Sequence, residues 1–162
     1  MNGLLVLARH DARLQYRYGI YLAYGFVVGF YALCLTLGRD ILPGWGVAAL
    51  VYSDPAAVGF FFLGALMMLE KSEGVRVALA TSPATAAAYL GGKLLTLTGL
   101  SLAACLVLLL VHPAPQPLLL LAAVTLTAVA FLALGVPIAL RFRTVNGYLV
   151  GSSALLTPIV GP

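Results

Sequence analysis

The chain has 162 residues, 62% of them hydrophobic and 9% charged, with a formal net charge of +4 and a mean hydropathy of +1.07. A soluble domain carries about 25% charged residues, so this chain cannot cover itself with polar groups and must turn its surface to lipid. That excludes a soluble domain of any size and points to an all-α, polytopic membrane helix bundle with room for five or six spans of about 20 residues.

Residues 3–18 come first. Arg9, Arg13 and Arg17 recur at i, i+4 and i+8 on one helix face, with Leu7, Leu14 and Tyr18 on another side. The pattern suits an amphipathic helix at the cytoplasmic interface, its arginines towards anionic headgroups; a basic leader that orients the first span fits the same residues. No small-residue cleavage site follows, so the next apolar run reads as a retained span and not as a signal peptide.

Span one covers 19–37, with Tyr16, Tyr18, Tyr21 and Tyr24 at its entrance as an aromatic belt. Gly25 and Gly29, spaced i, i+4, are candidate helix-packing positions. A loop from Gly38 to Gly46 leads to the apolar stretch Val47–Tyr52, interrupted by Ser53-Asp54-Pro55. A carboxylate followed by proline is a good helix start, so Asp54 is expected as an N-cap with Pro55 at the first helical position. A carboxylate at membrane depth is also a candidate polar site. Span two is expected over about 47–69, with Pro55–Leu69 as its main helix.

The segment 70–83 is the polar island of the chain. Glu70, Lys71, Glu73 and Arg76 fall within seven positions, and Ser82-Pro83 closes it. Acidic residues suit the first turn of a helix, so a helix of about two turns is expected here, lying across the cytoplasmic face; a solvated loop is the plainer alternative. Span three covers 86–111, with Lys93 near its inner end and its ammonium snorkelling to the headgroups. The stiff turn His112–Pro117 precedes span four, about 118–140, which Pro137 is expected to kink. The basic loop 141–146 leads to span five, about 147–162, where Gly147 and Gly151 repeat the small-residue spacing.

Placing the N-terminus in the cytoplasm puts Arg9, Arg13, Arg17, Lys71, Arg76, Lys93, Arg141 and Arg143 inside and Arg39 alone outside. The polar island is then cytoplasmic. Gly92-Lys93 is not the end of a phosphate-binding loop, because position 87 is Ala and position 94 is Leu. Cys34 and Cys105 lie in apolar runs and read as packing residues, and no Cys/His cluster supplies a metal ligand set. Five carboxylates, of which only Asp54 can lie deep in the bilayer, do not make an ion relay. Any energy for transport must come from a partner.

The order Leu69-Glu70-Lys71-x-Glu73-Gly74, Leu79-x-x-Ser82-Pro83 and Tyr89-Leu90-x-x-Lys93 resembles the permease subunits of type-2 ATP-binding-cassette exporters, and is similar to their fluoroquinolone or multidrug export branch. Ser53-Asp54-Pro55 and the basic N-terminal stretch fit the same pattern. The resemblance implies six spans in a prokaryotic inner membrane and a coupling helix between spans two and three. Glu70, Glu73, Gly74, Arg76, Ser82 and Pro83 would belong to that coupling segment, which seats on a separate ATPase subunit. It further implies a second permease copy or homologous half, with ATP and magnesium on the ATPase, no cofactor or metal on this chain and no nucleic-acid partner. The substrate would be a hydrophobic or amphipathic small molecule, drug-like or lipid-like. Five spans instead of six lead us to expect a chain cut short before an outer excursion. The alternative function is a non-transporting scaffold or accessory subunit that recruits a cytoplasmic partner through residues 70–83.

Overall fold

Among the residues that the computed structural model describes, 3–38, 41, 43–57, 61–75, 85–142 and 144–160, seven helices are laid out in full. They are α1 (Gly3–Arg17), α2 (Ile20–Leu37), α3 (Gly44–Ala57), α4 (Leu63–Ser72), α5 (Ala86–Val111), α6 (Pro117–Arg141) and α7 (Val145–Val160). Among the described residues there is no strand. Helices α2, α5 and α6 are each long and apolar enough to cross a membrane.

Five spans are therefore not what the described structure contains. Helix α3 has 14 residues, α4 has 10 and α7 has 16, which at about 1.5 Å per residue fall short of a hydrocarbon core of about 30 Å. The stretch expected as span two is divided between α3 and α4, and a π-type turn at Phe61-Phe62 leads into α4.

The outward surface explains why so apolar a chain folds at all. On α2, Ile20, Tyr24, Val28 and Leu35 are buried along one face, while Leu22, Phe26, Phe30 and Leu33 point away from the bundle. Helix α5 buries Leu97, Ala104 and Leu108 and exposes Leu95, Leu106 and Leu110; α6 buries Val124, Ala128 and Leu132 and exposes Leu118, Leu126 and Leu134. A helix apolar on both faces is at home only where its outer face meets lipid. This is a membrane protein.

Helix α5 is the centre, touching α1, α2, α3 and α6, while α6 also carries α3, α4 and α7. The Thr85 hydroxyl caps α5 by accepting from the Ala88 amide at 3.2 Å, and the stiff turn 112–116 returns the chain into α6 with Pro117 in its first turn. At the far end of the bundle Leu35, Gly44, His112 and Leu120 gather round one cavity. At the near end α1, the close of α4 and the start of α5 gather round another. Two glycines set close approaches. A Cβ on Gly92 would lie 3.2 Å from the Ala8 nitrogen, and one on Gly64 would lie 1.9 Å from the Tyr148 ring, so α1 rides directly on α5 and the Tyr148 ring presses against α4 at Gly64.

The N-cap expected at Asp54 is overturned. Helix α3 runs unbroken through Asp54 and Pro55 to Ala57. Proline so near a helix end removes only one backbone donor, and the Asp54 carboxylate turns to a side chain instead of a helix terminus.

Candidate functional site

The near end of the bundle holds a buried ionic cluster built by three helices. Asp11 and Gln15 stand one turn apart on α1, on the side away from exposed Arg9 and Arg13. Glu70 is in the last turn of α4. Tyr89, Lys93 and Thr96 follow at one-turn intervals on α5. Lys93 is 1% exposed, and its Nζ donates to Asp11 Oδ1 at 2.7 Å and to Glu70 Oε1 at 2.6 Å. The remaining carboxylate oxygens are also satisfied: Asp11 Oδ2 accepts from Gln15 Nε2 at 2.7 Å and from Thr96 Oγ1 at 2.5 Å, and Glu70 Oε2 accepts from the Tyr89 hydroxyl. Gln15 Nε2 also reaches Thr96 Oγ1 at 2.9 Å, and the Lys93 ammonium lies 5.0 Å from the Tyr89 ring centre.

Each link has a physical reason. Two carboxylates and one ammonium leave a formal charge of −1 out of water, and the hydroxyl and amide donors spread that charge. Glu70 sits at the carboxyl end of a helix, where the macrodipole opposes an acid, and Lys93 offsets the conflict. Gly92 brings the α1 backbone close enough for Asp11 to reach Lys93.

This placement corrects two expectations. Lys93 does not snorkel to headgroups; its ammonium is held inward between two carboxylates, a stronger attraction than a headgroup at the end of a flexible stem. Positions 76–83 of the expected two-turn helix lie outside the described residues, and its first turn is not formed by Glu70 and Glu73. They belong to the last turn and the cap of α4, which Gly74 ends at φ +74 with its amide turned back to Lys71 O. The reason is α4 itself, whose apolar run carries the helix through Ser72 before glycine stops it.

Glu73 and Gly74 are exposed, whereas Glu70 is buried. Arg17 approaches Glu73 at 4.0 Å with both side chains partly in solvent, a contact of at most about 1 kcal/mol. Beside them burial first, and the Glu73 carboxylate second, push the Tyr18 hydroxyl up to about 12, with Arg17 acting the other way. An open cavity of about 430 Å³ lies between α1 and this corner, with Val6, Leu7 and Tyr89 on its walls and His10, Glu73 and Val75 at its rim. Arg76, Ser82 and Pro83 lie outside the described residues.

The other candidate positions are elsewhere. Asp54 is buried deep between helices, and its Oδ2 accepts from the Tyr24 hydroxyl at 2.5 Å. Gly25 and Gly29 are exposed, and a Cβ on either would meet nothing within 4 Å, so among the described residues they pack against no helix. A Cβ on Gly147 would lie 3.0 Å from Thr144 Oγ1, and one on Gly151 would lie 2.2 Å from the Phe142 ring. These two fit the turn that enters α7. Cys34 and Cys105 are free thiols.

Asp11, Gln15, Tyr89 and Thr96 are the members that sequence reasoning missed. The signal was present: a lone carboxylate in a basic helix and a lone lysine in an apolar span each need a partner, and each was the obvious partner for the other.

No family model, no curated protein and no solved structure matches this chain.

Proposed function

We propose that this chain is the membrane-spanning permease subunit of an ATP-driven exporter, with ATP hydrolysed by a separate subunit and a hydrophobic or amphipathic small molecule as cargo. One observation carries the reading: the exposed corner Glu73-Gly74 is joined through Glu70 and Lys93 to both α1 and α5. A force applied where α4 ends therefore reaches a long apolar helix without passing through a flexible loop. The cavity beside that corner is a notch in which a side chain of the motor subunit can seat. The open face of α2 around Gly25 and Gly29 is where a second permease copy can lie. The membrane is a prokaryotic inner membrane, with the N-terminus and the 70–83 segment in the cytoplasm.

The test is a search for an ATP-binding-cassette ATPase encoded beside the chain, then co-purification and coupled export with it, comparing wild type with Glu73→Lys and Lys93→Met. Glu73→Lys should reduce association with the ATPase. Lys93→Met, in the fraction that purifies folded, should keep association and abolish stimulation of ATP hydrolysis by cargo. If neither variant changes either property, the coupling role is wrong.

A scaffold that recruits a cytoplasmic partner through the same corner is the second reading, favoured by the count of three long apolar helices. It forecasts partner binding without any transport of cargo.

A further inference from the structure

Asp54 is a buried acidic residue apart from the ionic cluster, and its environment differs from that of the cluster in one respect. Asp11 and Glu70 have all four carboxylate oxygens engaged. Asp54, 3% exposed, has a partner only on Oδ2, and its Oδ1 has none among the described residues. No described lysine, arginine or histidine forms an ion pair with it. A buried carboxylate with an open oxygen and no cation costs several kcal/mol.

A second unsatisfied group stands close by. Ser101 on α5 is fully buried, and among the described residues its Oγ has no well-aligned hydrogen-bond partner. It lies near the same Tyr24 hydroxyl that donates to Asp54. Three helices thus bring together a carboxylate oxygen and a hydroxyl that no described residue engages in a well-formed hydrogen bond.

A cavity lies one helical turn from them along α3 and α5. The cavity at the far end of the bundle, about 360 Å³, is lined by Leu35, Val47, Val51, Cys105 and Leu108, and by His112 at the turn. Val51 stands one turn before Asp54 on α3, and Cys105 one turn after Ser101 on α5. The apolar floor is thus about 5.4 Å, one helical pitch, from the polar pair. An occupant that satisfies both halves has a hydrocarbon body for the cavity and a cationic N–H donor for the carboxylate.

We propose that Asp54, Ser101 and this cavity form a binding site for a hydrophobic ammonium ion. The ammonium donates to Asp54 Oδ1 and Ser101 Oγ, and the hydrocarbon fills the space between α2, α3 and α5. Tyr24 holds the carboxylate in place from the other side. Because the site is built within a single chain, it holds whether or not the chain works with an ATPase.

The experiment uses the full chain in phosphatidylcholine nanodiscs, titrated with octylammonium, with octanol as the neutral control. Trp45, the sole tryptophan, follows the cavity residue Gly44 and reports occupancy by fluorescence. Octylammonium should give a saturable response in wild type, weakened about tenfold or more in Asp54→Asn and about threefold in Ser101→Ala, in keeping with loss of a charged and of a neutral hydrogen-bond partner. Octanol should respond alike in wild type and Asp54→Asn. Equal octylammonium affinity in wild type and Asp54→Asn overturns the proposal, as does an equal response to octanol and octylammonium in wild type. If Asp54→Asn does not fold by circular dichroism, Ser101→Ala decides, and an unchanged affinity there overturns the site.

Discussion

Lys93 Nζ lies 2.7 Å from Asp11 Oδ1, across a sequence separation of 82 residues, and this contact ties the first helix of the chain to its central one. Removing the ammonium leaves two carboxylates facing each other out of water. Lys93→Met should therefore destabilise the fold by about 3–5 kcal/mol, read by denaturant unfolding in detergent. The triple variant Asp11→Asn, Glu70→Gln, Lys93→Met should recover much of that loss. A triple variant as unstable as the single would show that the cost is packing and not charge.

Gly64 admits the Tyr148 ring. Gly64→Ala should destabilise by about 1–3 kcal/mol through overpacking, and adding Tyr148→Leu should relieve most of the strain. Thermal unfolding of the four proteins in the cycle measures the coupling, and additive effects would contradict the contact.

Tyr18 titrates above the ordinary tyrosine value, about 12 against 10.0. A raised value means that the folded state favours the neutral phenol, so its contribution to stability is complete below pH 10 and is lost as pH rises through 12. The 295 nm difference between wild type and Tyr18→Phe should show one midpoint near 12. Glu73→Gln should lower that midpoint, since the carboxylate is one of its causes.

If α5 crosses the membrane, its two ends lie on opposite sides. In a background of Cys34→Ser and Cys105→Ala, Arg13→Cys and Pro115→Cys should react with a membrane-impermeant maleimide from opposite faces of sealed vesicles. Labelling of both from one face would remove α5 as a span.

Much of the fold follows from hydropathy alone, because a bundle in lipid advertises its long helices by unbroken apolar runs. Helix α5 occupies the same 86–111 stretch that hydropathy delimits. What hydropathy cannot show is direction. Lys93 lies near the end of an apolar run whether it points to headgroups or to Asp11, and the choice depends on Gly92 letting α1 come close. Asp54 misled for a related reason. Asp-Pro marks a helix start in water, where a free backbone amide is the best available donor; inside the bundle the Tyr24 hydroxyl competes and the helix continues. The corner at Glu73-Gly74 was legible as polar, but its role as a helix end became visible only when α4 was seen to run into it.

The distance in sequence between Asp11 and Lys93 has a meaning for how the protein is made. At about 5–20 residues per second, the ribosome delivers Lys93 several seconds after Asp11. Throughout that interval Asp11 on the N-terminal helix lacks the cation that neutralises it. When the lysine arrives, its counter-charge is already waiting, so the costly burial of an ammonium and the closing of the near end of the bundle happen in one late step of biosynthesis.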